Sequence, residues 1–202
     1  MSKSLVLLVA VALFVPQASK AAAFDIDPAH SAATFSVKHL MVANVHGEFG
    51  KVTGTVNLDD KDITKSTVEA TLDATSIRTH DEKRDEHLKS AEFFDVAKFP
   101  TLTFRSTKVE KGAKGKLKVT GDLTIHGVTK SVVLDVEGLS KESKDPWGNV
   151  KVGTSASTKI NRKDFGLTWN KNLETGGVLV GEEVTINLDV ELGKKVAEPP
   201  AK

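Results

Sequence analysis

Residues 65–74 read KSTVEATLDA. Val68, Ala70, Leu72 and Ala74 alternate there with Thr67, Glu69, Thr71 and Asp73, so one face is apolar and the other polar. Successive side chains point to opposite faces only in extended backbone, and one wetted face marks an antiparallel sheet. The same alternation recurs on either side and predicts strands over 32–39, 46–58, 66–73, 101–110, 115–125, 129–138, 149–160 and 182–192. Eight such segments, separated mostly by Gly, Asp and Lys turns, predict an all-β protein, either an antiparallel sandwich or an up-and-down barrel.

One stretch breaks the period. The run HDEKRDEHLKS, residues 80–90, has strong helix formers and a single apolar residue, Leu88, which predicts a short surface helix over 81–90. Phe93, Phe94 and Phe99 follow it and are placed to plug one end of a barrel.

The chain opens with Lys3, eleven apolar residues from Leu5 to Val15, a break at Pro16 and the small residues Ala21, Ala22 and Ala23. That order is the pattern of a secretory signal peptide over 1–23, with cleavage after Ala21 or after Ala23. Its apolar core is shorter than the roughly 20 residues a membrane span requires, and no later stretch approaches that length, so the exported chain is not expected to span a membrane. Residues 24–193 then form one domain, and 194–202, with Pro199 and Pro200, read as a disordered tail. Without cysteine the core must supply the stability alone, although an exported chain could carry disulfides. Removing Lys3 and Lys20 from the 28 basic residues leaves 26 against 27 acidic ones, a balance that offers no field for nucleic acid.

The apolar face carries Phe35, Val37, Leu72, Phe104, Leu123, Ile125, Leu134 and Val136 together with the small residues Ala33, Ala70, Ala74, Gly121 and Ala156. An eight-stranded barrel lies near the boundary between a filled interior and one that holds a ligand. Small inward residues tip that balance toward an open tunnel. The other reading makes Gly121 a bulge and gives the alanines bulky partners across the barrel.

Catalytic patterns are missing. The six histidines, His30, His39, His46, His80, His87 and His126, form no HExxH or comparable pair, and no converging set of three zinc ligands is evident, so no metal is expected. There is no GxSxG, and Asp27, His30 and Ser31 are too close along one extended segment to make a triad, which leaves turn and strand-end hydrogen bonds as their roles. Asp60, Asp62 and Thr64 lack the glycine and the spaced glutamate of a calcium loop. No cofactor motif is present, and the sequence reads as that of a non-enzyme.

Four stretches together resemble the YceI-like family of periplasmic proteins: DPAHSAATFSVKHLMVANVHGEFG (27–50), DEHLKSAEFFDVAKFPTLTF (85–104), TGDLTIHGVTK (120–130) and INRKDFGLTW (160–169). The resemblance implies an eight-stranded antiparallel lipocalin-like barrel in the periplasm. Its elongated apolar lumen would accept a polyisoprenoid, a prenylated quinone or a related long-chain amphiphile. Strands of about ten residues tilted 35 to 45 degrees give a lumen of roughly 25 Å, against roughly 15 Å for one acyl tail, so the longer prenyl chain fits better. The candidate ligand-binding residues are Phe35, Val37, Ala70, Leu72, Phe104, Gly121, Leu123, Ile125, Leu134, Val136 and Ala156, with Arg162 as the head-group contact if the cargo carries a phosphate. Asp27, His30, His39, Arg162 and Asp164 match the family's polar positions, which bring no catalytic role with them. Two other readings remain at this point, an enzyme acting on a lipid in the same tunnel and a filled structural barrel, and a homodimer is left open.

Overall fold

The computed structural model describes residues 21–174 and 176–195. Most of the expected signal peptide (1–20) and of the expected tail (196–202) lies outside the described residues. Among the described residues, twelve strands form one sheet that closes on itself as an eight-stave antiparallel barrel. Three staves are bent pairs: β1 (Ala22–Ile26) with β2 (Ala32–His39), β3 (Ala43–Phe49) with β4 (Val52–Leu58), and β5 (Thr67–Asp73) with the short β6 (Ile77–Arg78). The others are β7 (Thr101–Lys111), β8 (Leu117–Ile125), β9 (Val128–Val136), β11 (Val150–Asn161) and β12 (Val180–Lys194). β10 (Ser143–Lys144) is a two-residue ribbon on β11.

β12 closes the ring because both of its edges are paired. One runs beside β11 from Lys151↔Gly193 to Asn161↔Glu183. The other meets β2 over Val180–Asp189 and β1 at Leu192, Gly193 and Lys194. Closure leaves these backbone groups satisfied within the sheet and exposes no long free edge. The thinnest seam is between β9 and β11, which share only Ala156↔Val136 and Ser157↔Asp135.

The strands fall where the sequence predicts them, except that the expected 46–58 divides at Gly50 and Lys51 into β3 and β4, the two-residue β6 and β10 are added, and so is β1. There the run AAAFDI offers little polar contrast, and pairing with Leu58, Asn57, Val56 and Thr55 of β4 decides the strand. β12 continues through Lys194, and Lys195 N–H donates to Ala23 O (2.8 Å), so the ordered chain extends past the expected 193 boundary. The helix α1 (Glu82–Lys89) falls where its composition predicts, with the Asp81 carboxylate accepting from Arg84 N–H (2.9 Å) as its N-cap.

Candidate functional site: an apolar lumen

The inward faces of the staves enclose a cavity of about 270 Å³ whose accessible wall consists of apolar atoms alone. Of the residues the sequence assigns to it, Phe35, Val37, Ala70, Leu72, Phe104, Leu123, Ile125, Leu134, Val136, Ala156 and Arg162 border the cavity. Ala33 also does. Ala33 and Ala156 flank Leu188 from β2 and β11, and Ala70 lies between Gly54 and Phe104. These small residues thus adjoin bulky neighbours along the wall.

Gly121 stands apart from these residues. It faces inward yet does not border the cavity, because the Phe104 ring lies over it. A Cβ at this position would stand 2.4 Å from Phe104 Cζ and 2.6 Å from Arg105 O. The same device recurs at Gly47, where a Cβ would be 2.3 Å from Phe35 Cζ. In each case the missing side chain lets a phenyl ring lie close against the wall, so glycine opens the lumen indirectly.

One end of the cavity is closed. Leu88 of α1 and the following Phe93 and Phe94 border it, joined by Leu167 and Val180. Phe49 and Phe94 meet edge to face with centroids 5.6 Å apart, and His87, Phe93 and Trp169 form a second aromatic group at 4.9 to 5.1 Å. Leu88 is the half-buried apolar contact of α1 with the core, and polar contacts latch the rest of the helix. Asp85 accepts from Thr79 N–H (2.7 Å) and Thr79 Oγ1, while Arg84 donates to Thr79 Oγ1 (2.7 Å) and Thr79 O (2.8 Å). Phe99, expected in the plug, packs instead against the His126 ring with centroids 4.8 Å apart.

Arg162 borders the cavity in a different way. The side chain is buried, and its guanidinium faces backbone carbonyls. Nε donates to Gly181 O (2.8 Å), Nη1 to Leu167 O and Trp169 O (2.9 Å for the latter), and Nη2 to Val180 O (3.3 Å). Burial pushes its pKa down from the ordinary arginine value, opposed by Glu182. With its donors committed to carbonyls, Arg162 is a clamp that ties the turn after β11 to the start of β12, and only its apolar stem borders the cavity. Asp164, two residues on, is exposed.

At the other end Leu58, Ile63 and Leu117 are half-buried and Leu139 is 37 % exposed although it borders the cavity, so the lumen meets solvent there. Nearby on the outside, the break between β1 and β2 carries an ion cluster. Lys151 Nζ lies 2.8 Å from Asp27 Oδ2 and 2.9 Å from Glu191 Oε1, and His30 Nδ1 lies 3.2 Å from Asp27 Oδ2. The hydrogen bond from Lys151, then those from His30 and Ala29 N–H, hold the Asp27 carboxyl well below the usual carboxylate range, while Asp27 and Glu191 hold Lys151 above the ordinary lysine value. Asp27, His30 and Glu191 could converge on a cation, but the Lys151 ammonium already bridges the two carboxylates.

The most regular part of the wall lies outside the residues that the sequence singles out. Val184, Ile186, Leu188, Val190 and Leu192 of β12 all border the cavity, as do Val52, Val56 and Leu58 of β4. Their period of two is the signal in the sequence that marks them.

The fold and the site together define a closed, lipocalin-like barrel around an apolar chamber. The YceI-like domain model matches residues 24–192, and the chain belongs to that family. A UPF0312 protein of Staphylococcus aureus is 39 % identical over 170 residues, covering 83 % of this chain and 95 % of the relative. The crystal structure of a Campylobacter jejuni YceI protein superposes with a TM-score of 0.66 at 33 % identity, covering 79 % of this chain and 90 % of that one. A polyisoprenoid binding domain from Saccharophagus degradans shares the fold, with a TM-score of 0.60 at 15 % identity over 86 % of this chain and 99 % of its own.

Proposed function

We propose that this protein binds a long apolar lipid of the isoprenoid class inside the barrel and carries or stores it without altering it. The observation that carries this reading is the wholly apolar wall of the cavity. Such a wall gains free energy by burying hydrocarbon, about 25 cal/mol per Å², and would penalise any polar group left unpaired within it. A head group therefore belongs at the end where Leu58, Ile63, Leu117 and Leu139 meet solvent, with the tail directed toward Phe93 and Phe94. The volume, about 270 Å³, falls just short of the roughly 300 to 1,000 Å³ usual for ligand pockets, so a long chain has to open the lumen further or lie partly outside it. The fold shared with a polyisoprenoid binding domain supports the same class of cargo. Catalysis has no support in this wall, since the polar heads of its bordering residues are turned away from the cavity.

The matching location is the periplasm, reached by export and removal of the signal peptide. Cleavage after Ala21 suits the fold better than cleavage after Ala23, because Ala22 and Ala23 belong to β1 and Ala23 O accepts from Lys195. Terminal sequencing of exported protein should find Ala22 first.

Incubation with a prenylated quinone, followed by gel filtration, extraction and mass spectrometry, tests the function. Recovery of the intact quinone at about one per protein is expected. A quinone converted with time would overturn the non-catalytic reading, and failure to retain any would overturn the binding reading.

A further inference from the structure

We infer that the solvent-facing end of the lumen is a docking surface for an anionic lipid bilayer, seated through Trp147 and a group of uncompensated lysines. The inference rests on the proposed cargo only for its purpose; its evidence is separate.

Trp147 is 84 % exposed and is nevertheless held in a well-defined turn. The Asp145 carboxylate accepts from Trp147 N–H (2.9 Å), Asn149 N–H (2.8 Å) and the Asn149 side chain (2.8 Å), and Gly148 N–H donates to Asp145 O (3.0 Å). Pro146 and Gly148, the latter at φ +88°, complete a turn whose chemistry fixes its shape. Fixing a large apolar ring in water gains the isolated protein nothing. An indole gains at the head-group level of a bilayer, where its apolar body and polar N–H are both accommodated.

Charge points the same way. Of the seven lysines in residues 111–118 and 137–151, Lys111 pairs with Asp62, Lys116 with Glu137, Lys118 with Asp135 and Lys151 with Asp27 and Glu191, which leaves Lys114, Lys141 and Lys144. The two segments are neighbours, since a Cβ on Gly138 would stand 2.5 Å from Gly115 O and Lys116 pairs with Glu137 at 2.9 Å. Glu142 is paired with Lys194 (3.0 Å), and Asp145 is engaged in the turn. Lys114, Lys141 and Lys144 are exposed and stand in no ion pair among the described residues. Leu139, at the open end of the cavity, lies in the same loop as Lys141 and Trp147. Seating this rim on a bilayer would present the cavity mouth to the lipids. Asp62, in the turn after β4, borders this group and approaches Lys111 (3.8 Å), so the docking charge is carried by the lysines farther along the rim.

Cosedimentation with phosphatidylglycerol vesicles and with phosphatidylcholine vesicles tests this, using the parent, Trp147→Ser and the triple variant Lys114→Glu, Lys141→Glu, Lys144→Glu. Each lysine near an anionic surface contributes enough that the triple variant should lose about a hundredfold or more in partition. Parent binding should favour phosphatidylglycerol, and Trp147 emission, isolated in a Trp169→Phe background, should shift to the blue on those vesicles. The exposed hairpin tip at the closed end, Leu40 and Met41, is the control surface. Equal partition of the parent and triple variant overturns the inference, as does loss of binding in Leu40→Ser, Met41→Ser with the rim variants unaffected. Quinone retention in solution should be the same in all rim variants. A parent that docks on vesicles but retains no quinone would refute the proposed cargo and leave the docking surface standing.

Discussion

The two ends of the lumen are finished in opposite ways. At one, α1 is latched by Asp85, Arg84 and Thr79, aromatic rings fill the bore, and Arg162 ties four backbone carbonyls together. At the other, Leu58, Ile63, Leu117 and Leu139 remain partly wet and the nearby charges pair on the outside. The contrast assigns stability to the closed end and exchange with the surroundings to the open one. On the proposed function, a chain of isoprene units would thread inward from the open end.

The largest test of that contrast is an obstacle between the ends. A prenyl chain of about 40 carbons can gain up to roughly 12 kcal/mol at about 0.3 kcal/mol per atom. Ala70→Phe or Ala156→Phe, blocking about a third of it, should cost roughly 4 kcal/mol, about a thousandfold in the dissociation constant measured by quinone titration. Overpacking can itself cost about 1 to 3 kcal/mol, so each variant is first checked for a cooperative unfolding transition. Gly121→Ala sharpens the point: its new Cβ would displace the Phe104 ring, so the loss of affinity should come from a residue that does not border the cavity.

Next in size is the closed end. Arg162→Met removes a buried cation and leaves the carbonyls of Gly181, Leu167, Trp169 and Val180 without their donor, which should lower stability in urea by about 3 kcal/mol. Quinone affinity of the folded fraction should barely change. A large affinity loss at unchanged stability would restore the head-group role that the sequence alone suggested.

Much of this was legible in advance. The period of two in residues such as Val68, Ala70 and Leu72 gave the staves, and the charged run before Phe93 gave α1. Three features were not legible, each for a physical reason. β1 is decided by long-range pairing rather than by its own alanine-rich pattern. Gly121 reads as empty space until the Phe104 ring from the neighbouring strand is placed over it. Arg162 reads as a phosphate ligand because carbonyl acceptors are the same in every sequence, and only the fold shows four of them converging.

A smaller effect is expected at the ion cluster. Because Asp27 is held below its unfolded value, its contribution to stability is present above the usual carboxylate range and is lost as pH falls through the depressed value. Lys151, held above its unfolded value, contributes below the ordinary lysine range and loses that as pH rises through the raised one. Unfolding midpoints should therefore be level across neutral pH, and Asp27→Asn should lower that level by about 2 kcal/mol while flattening the acid limb. The smallest effect is that of Thr71→Val on the polar outer face of β5, within about 0.5 kcal/mol in stability and without change in quinone affinity.

Native mass spectrometry of the protein purified from the periplasm of its own host tests the central claim most directly. A second mass is expected, one intact long-chain isoprenoid per barrel, that is lost in Ala156→Phe and kept in Thr71→Val. A protein that carries no lipid, or one whose lipid survives well-folded Ala70→Phe and Ala156→Phe substitutions, would contradict it.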